Sequence, residues 1–475
     1  MKVWYIRQKH ETLSSVKSLY LFVFNLFTKK KTFFSKQIVL FNKFSLRIKT
    51  YKNYPFYDSK FKSYRSFSKK INKAISISSK RIMLWIDHSL GGGTQSYSYN
   101  KFEEYNDEYV IIRLQYFHLY RSFVISFPNG EFFTGFTLSF NEVKSLFEKL
   151  NINKIVLNSL VAYRNINEVL AFVHELHLTN NNIDVTYNVH DFFFICPNCN
   201  LISADNKFCG FDTDISCEDC VNKYQSLMPE YEFKLFYDEF INISDWRKMW
   251  QKSLLEDVSE VVCFSKSSCE IVNKFYPAIS SKLRFVPHVV RPLRQVKVNT
   301  HDSVNIAVLG KVDTIPKGKE FIELLSCSID KFNKELDILC LNKEINNSKC
   351  LNQNNSSDKQ INIEFELNKK VQLFCIGDYV NAPQNMTVTG AYKREELPNI
   401  IEQHNVDLIL IPSIWAETFS YTTSEAIAMN VPVACFNLGG QADQVSVYPK
   451  GLILELSDSS DIVLDKILYF LSKLS

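Results

Sequence analysis

Short apolar runs recur along this chain and alternate with stretches of helical character. Ile82-Met-Leu-Trp-Ile-Asp87, Lys154-Ile-Val-Leu-Asn158 and Asp184-Val-Thr-Tyr-Asn-Val189 read as buried strands, with a helix expected over 165–178 between the last two. That rhythm predicts a parallel sheet, because parallel strands are covered on both faces and need a crossover to connect them. Glu260-Val-Val-Cys-Phe-Ser265 continues the series as a strand, followed by a helix over 266–275. A second series opens at Val304-Asn-Ile-Ala-Val-Leu-Gly310 and resumes at Val371-Gln-Leu-Phe-Cys-Ile-Gly377 and Val406-Asp-Leu-Ile-Leu-Ile-Pro412. Leu336 to Leu341 is read as another of its strands, and the Asn/Ser/Lys-rich text over roughly 342–359 as a surface insertion. The expectation is an α/β protein of two lobes, 81–292 and 293–475, preceded by an extension over 1–80.

Composition supports the two lobes and sets the extension apart. A chain of 475 residues with 46% hydrophobic content can fill more than one core. Its formal charge of +4 conceals an uneven distribution: residues 1–80 hold 19 Lys and Arg against 2 Asp and Glu, so the remainder is net acidic. The apolar run Leu19 to Phe27 is too short to span a bilayer, and the cations Lys29 to Lys31 follow it where a cleavage site would need small residues, so no cleaved secretory signal is expected. Cations interleaved with Phe and Tyr suit the surface of an anionic membrane. A poorly ordered leader and a piece of an upstream domain are the other readings. No nucleic-acid recognition module is visible.

The densest chemistry lies at Trp415-Ala-Glu-Thr-Phe-Ser-Tyr-Thr-Thr-Ser-Glu425. It follows a strand and opens a helix, the place where open α/β sheets collect ligands. Free amides from Thr418 to Thr422, including those of Phe419 and Ser420, can receive a diphosphate while Glu425, further into the helix, reaches a sugar hydroxyl. Such a site suits a nucleotide-sugar.

Taken with Val388-Thr-Gly-Ala-Tyr392, Glu396-Leu-Pro398, Pro432-Val433 and Gly439-Gly-Gln-Ala442, this segment resembles the E-x7-E signature of retaining glycosyltransferases of the GT-B fold, family 4, in its polysaccharide-building subgroup. Ser420 and Asn430 stand where glycines are common in that family, and Asn tolerates the left-handed conformation. The resemblance implies two Rossmann-like lobes facing each other across a cleft. It implies a nucleotide-sugar donor, a glycan or lipid-linked acceptor in surface polysaccharide synthesis, and no catalytic metal. It implies that Glu417 contacts the transferred sugar and Glu425 the ribose, with Lys311 and Lys317 against the donor diphosphate. His190, at the end of its strand, would face the donor sugar, and the glycine loop with Gly92 and Gly93 would lie near acceptor and phosphates. A cytoplasmic protein, peripheral on the inner face of the membrane, fits that role. An inactive GT-B scaffold and a sugar-nucleotide epimerase or phosphorylase remain as other readings.

Cysteine usage adds one further expectation. Five of 12 cysteines fall within residues 196–220, as the pairs Cys196/Cys199 and Cys217/Cys220 with Cys209 between. Two C-x-x-C knuckles are the spacing of a tetrahedral zinc site, and four thiolates would make that zinc structural. Disulfides are the alternative. The resembling subgroup offers the intermediate cysteine, here Cys209, as an alternative to Cys199 for the fourth ligand, so which four of the five are used stays open. The acidic neighbours Asp205, Asp212, Asp214, Glu218 and Asp219 argue against a nucleic-acid-binding ribbon.

Overall fold

Two sheets organise the chain. The computed structural model describes residues 69, 71–73, 75, 78–90, 92–117, 122–127, 135–137, 140–164, 166–180, 182–210, 216–228, 241–349 and 369–474. The first sheet contains β1 (Arg81–His88), β2 (Tyr109–Phe117), β3 (Ser122–Ser126), β4 (Gly135–Thr137), β5 (Ile152–Leu157), β6 (Asp184–Val189), β7 (Glu260–Cys263) and β8 (Leu283–Phe285). Among the described residues their order is β4-β3-β2-β1-β5-β6-β7-β8. It is parallel from β2 to β8, with β3 and β4 added antiparallel at one edge.

The second sheet contains β9 (Ser303–Leu309), β10 (Lys370–Ile376), β11 (Met386–Val388), β12 (Leu408–Ile411), β13 (Val433–Phe436) and β14 (Gly451–Leu454). Its described strands run β11-β10-β9-β12-β13-β14, all parallel. In each sheet the order reverses once, beside β1 and β5 in the first and beside β9 and β12 in the second. Those are the topological switch points outside which α/β sheets hold ligands.

The apolar runs form strands because both faces are covered. Ile306 and Val308 pack into one cluster of the second lobe, Ala307 and Leu309 into the cluster on the opposite face. Full burial of each such large aliphatic side chain is worth about 1.5–3 kcal/mol. The first lobe has one large cluster around β1, β5, β6 and β7, and a smaller one built on Met83, Trp85 and Phe102. The strands expected from the runs at 82–87, 154–158, 184–189, 260–265, 304–310, 371–377 and 406–412 all appear, as do the helices Ile166–Thr179 and Lys266–Phe275.

One expected strand is a helix. Leu336 to Leu341 belongs to the helix Lys319–Lys349, which also contains the start of the expected insertion. Its buried positions Ile322, Leu325, Ile329 and Leu336 recur three, four and seven apart, while Ile338, Leu339 and Leu341 are each 57% exposed. The helical stripe extends beyond the window in which the run looked like a strand. Residues 1–68, holding most of the basic extension, lie outside the described residues, as do 350–368. Among the described residues no helix is long and apolar enough to cross a membrane.

Candidate active site

The loops that follow β1, β6, β9 and β12 meet in the space between the sheets. After β12 the chain reaches Glu417, which is 4% exposed. Its Oε1 accepts hydrogen bonds from Lys317 Nζ at 2.5 Å and Ser413 Oγ at 2.6 Å. Two glycines make this geometry possible. Gly318 has φ of 80°, and a Cβ there would sit 2.0 Å from the Pro412 carbonyl oxygen, so only glycine lets the Lys317 turn lie against the end of β12. Gly439 has φ of 56° and would place a Cβ 2.6 Å from the Ala416 carbonyl carbon. That close approach lets Gly440 N–H donate to the Glu417 carbonyl at 2.6 Å, while Glu417 N–H donates to Gln441 Oε1 at 3.1 Å. Backbone and side chain of Glu417 are thus both fixed.

Ser420 caps the helix Tyr421–Ala428, its Oγ accepting from Thr423 N–H. A serine here therefore serves the local structure. Asn430, in the other glycine-like position, has φ of 63°, the left-handed conformation expected of it. Glu425, 8% exposed, accepts from Arg394 Nε at 2.8 Å, and Arg394 Nη2 donates in turn to the Arg291 carbonyl at 2.5 Å. Burial raises the Glu425 carboxyl above its ordinary range, and Arg394 opposes that shift.

The first lobe closes over this surface. A Cβ on Gly93 would meet the Tyr421 ring at 3.0 Å, so the start of the helix Gly93–Tyr105 lies against the start of the helix Tyr421–Ala428. Both helices present first-turn amides that no acceptor within the helix satisfies, together with the positive end of the dipole. Thr418 Oγ1 donates to the His190 carbonyl at 2.9 Å. His288, in the segment joining the lobes, shares a hydrogen bond with the Tyr421 hydroxyl at 2.7 Å. Its ring stacks on Phe419 at 4.4 Å and on Tyr97 at 4.7 Å. Burial lowers the His288 imidazole to about 3, so it is neutral at physiological pH. Asp443 accepts from both Ser267 N–H at 2.9 Å and Ser267 Oγ at 3.0 Å, a second link between lobes.

The residues expected from the sequence therefore separate into groups. His190, Gly93, Lys317, Glu417, Thr418, Phe419, Ser420 and Glu425 surround the junction of the lobes, with Gly92 (φ 78°) leading into the first helix. Lys311 differs: it stays 67% exposed and pairs loosely with Asp313 at 3.9 Å. Arg394, Ser413, His288, Tyr97 and Asp443 were not anticipated. Only Arg394 had a local signal, a cation between the segments Val388–Tyr392 and Glu396–Pro398, and nothing there indicates that it turns toward Glu425.

The five clustered cysteines are free thiols. Cys217 and Cys220 sit in the first turn of the helix Cys217–Leu227, and Arg247 Nη2 lies 3.4 Å from Cys217 Sγ. Burial pushes the Cys196 thiol up to about 12, with Cys209 and Cys220 adding to the rise and Arg247 opposing it. Burial, then Asp191, raises Cys199. Among the described residues no three His, Cys, Asp or Glu side chains gather into a metal-ligating group.

A model of the family described as Glycosyl transferases group 1 matches residues 367–473, the stretch containing Arg394, Glu417 and Glu425. None of the curated proteins compared matches the chain. Among solved structures the chain is similar to sucrose-phosphate synthase from Thermosynechococcus elongatus, at 14% identity over 83% of this chain and 90% of that one, with a TM-score of 0.47. It is also similar to HepE of Anabaena in complex with UDP-glucose, at 12% identity over 82% and 88%, TM-score 0.45. A glycosyltransferase from Rickettsia africae aligns at 13% identity over 84% and 90%, also with TM-score 0.45.

Proposed function

We propose that this protein is a retaining GT-B glycosyltransferase of family 4 type, moving a sugar from a nucleotide-sugar to a glycan or lipid-linked acceptor in surface polysaccharide synthesis. One observation carries the reading: two helix N-termini from opposite lobes meet at Gly93 and Tyr421, in the same junction as the Lys317–Glu417 pair. Amide dipoles and a lysine ammonium together suit a diphosphate leaving group, whose charge grows as the sugar bond breaks. The buried indole N–H of Trp415 is without a partner, and the ring lies 6.0 Å from Lys317 Nζ. A ligand rich in acceptors would satisfy it.

In this reading Glu425, oriented by Arg394, holds the ribose. Glu417 receives hydroxyls of the transferred sugar, and Lys317 moves onto the phosphate, helped by the amides near Phe419 and by Lys311. The acceptor hydroxyl attacks from the face the phosphate leaves. The new C–O bond forms as the anomeric C–O bond breaks, its electron pair goes to the phosphate oxygen, and the hydroxyl proton follows onto that phosphate. Donor and acceptor occupy a cleft that the lobes close against water. Incubation with a panel of nucleotide-sugars should release nucleoside diphosphate, and product NMR should report a retained anomeric configuration. Inversion, or turnover unaffected by Glu417→Ala and Glu425→Ala, would overturn the assignment. Ser420, which stands where glycine is common in that family, is accounted for as a helix cap.

The Cys-rich excursion we assign to a structural zinc, held by Cys217 and Cys220 with Cys196 and, in place of Cys199, Cys209; the spacing of the two C-x-x-C pairs supports this reading. Binding would draw them into a closed tetrahedron, which supplies folding energy and no open position for chemistry. One equivalent of zinc in purified protein, lost together with thermal stability on chelation, is the expected result. We further place the protein in the cytoplasm, with the basic residues of 1–80 against the inner face of the membrane. Deleting those residues should abolish salt-sensitive binding to anionic vesicles.

A further inference from the structure

A buried polar chain runs across the carboxyl ends of the first lobe's strands to His190, and its hydrogen-bond directions can be assigned throughout. It begins at Asp87, which is fully buried at the end of β1. The Asp87 carboxylate accepts from Arg113 Nη2 at 2.7 Å, Ser98 Oγ at 2.9 Å, His88 N–H at 2.9 Å and Asn158 Nδ2 at 3.2 Å. Paired with Arg113, it acts only as an acceptor. The amide of Asn158 must therefore turn its NH2 toward Asp87, where the same nitrogen also donates to Ser98 Oγ at 3.0 Å. A flipped amide would set oxygen against carboxylate.

Asn158 Oδ1 consequently faces the other way, where it accepts from Asn188 Nδ2 at 2.9 Å. It also lies 3.0 Å from His190 Nε2. An amide oxygen can only accept, so Nε2 must carry a proton. The His190 ring is held between Tyr97, with centroids 4.8 Å apart, and Phe264 at 4.6 Å. Burial lowers its basicity strongly, with further lowering from His288 and His88.

We infer that the Arg113–Asp87–Asn158 chain locks His190 into the tautomer protonated on Nε2, leaving Nδ1 as its one available polar ring atom. His190 then serves as a hydrogen-bond acceptor for a hydroxyl of the bound sugar and moves no proton. Asn158 and Asp87 are positioning residues that act through it. The choice of sugar as ligand rests on the proposed glycosyl transfer; the tautomer does not.

The test uses full-length protein carrying 15N-labelled histidine, with the His190 signals assigned through His190→Gln. At neutral pH the wild-type spectrum should show a protonated Nε2 and a bare Nδ1. A proton on Nδ1, or on both nitrogens, overturns the inference. In Asn158→Leu, which removes the acceptor, the ring should redistribute toward the other tautomer; an unchanged spectrum in folded protein also overturns it. Titration with UDP-glucose as probe should move the Nδ1 resonance preferentially. If the tautomer holds and no nucleotide-sugar perturbs Nδ1, the sugar-acceptor role fails while the lock stands.

Discussion

Lys317→Ala separates two consequences of a single ion pair. Glu417 is nearly sealed, with a side chain 5% exposed, whereas that of Lys317 is 39% exposed. Removing a partner from a fully buried pair costs about 3–5 kcal/mol. Exposed pairs are worth about 0.2–1 kcal/mol. A sealed carboxylate facing a partly solvated ammonium lies between, so Lys317→Ala should destabilise by about 1–3 kcal/mol, because Ser413 alone is left to solvate a buried charge. Adding Glu417→Gln removes that charge while keeping the shape, and the double variant should regain most of the loss. Activity should not recover, since losing the cation that faces the leaving phosphate lowers kcat by about 10²–10³-fold. Urea unfolding followed by tryptophan fluorescence, run as a double-mutant cycle, gives the coupling; release of nucleoside diphosphate gives the activity. Two results would refute the reasoning: Lys317→Ala as stable as wild type, or a double variant no more stable than Lys317→Ala alone.

Three further outcomes are expected. Arg394→Gln removes the group opposing the burial-driven rise of Glu425, so Glu425 would protonate at higher pH and the acid-side increase in donor KM should begin at higher pH than in wild type; an unshifted profile would separate Glu425 from donor binding. Gly318→Ala meets both a left-handed φ and the Pro412 carbonyl, and should cost about 2 kcal/mol or more of stability, whereas Ala at the exposed Lys311 should change stability by less than about 0.5 kcal/mol; both are read by thermal unfolding. The link from Arg294 and the Lys297 amide holds the Glu402 carboxyl down to about 2. A depressed carboxylate contributes stability that is complete above its unfolded pKa of about 4.3 and lost as pH falls toward its folded value. Glu402→Gln should therefore lose more stability, relative to wild type, at pH 6 than at pH 2.5.

Much of this protein was determined locally. Parallel strands appear as unbroken apolar runs because both faces are covered, so β1, β5, β6, β7, β9, β10 and β12 could be placed from the chain alone. The E-x7-E pair, Lys317 beside its glycine and the left-handed tolerance of Asn430 are likewise matters of short spacing and backbone chemistry. Misreading residues 336–341 has the same origin, since a six-residue window cannot distinguish a strand from one face of a long helix. Only the tertiary structure decided that Arg394 turns onto Glu425, that His288 wedges between Phe419 and Tyr97, and that Arg113, Asp87 and Asn158 converge on His190. Those pairs are separated by 26 to 191 positions, and no periodicity encodes them. They exist because each sheet sets the carboxyl ends of sequence-distant strands side by side and the two lobes meet there, where partially buried charges and amides must find partners wherever the chain's path supplies them.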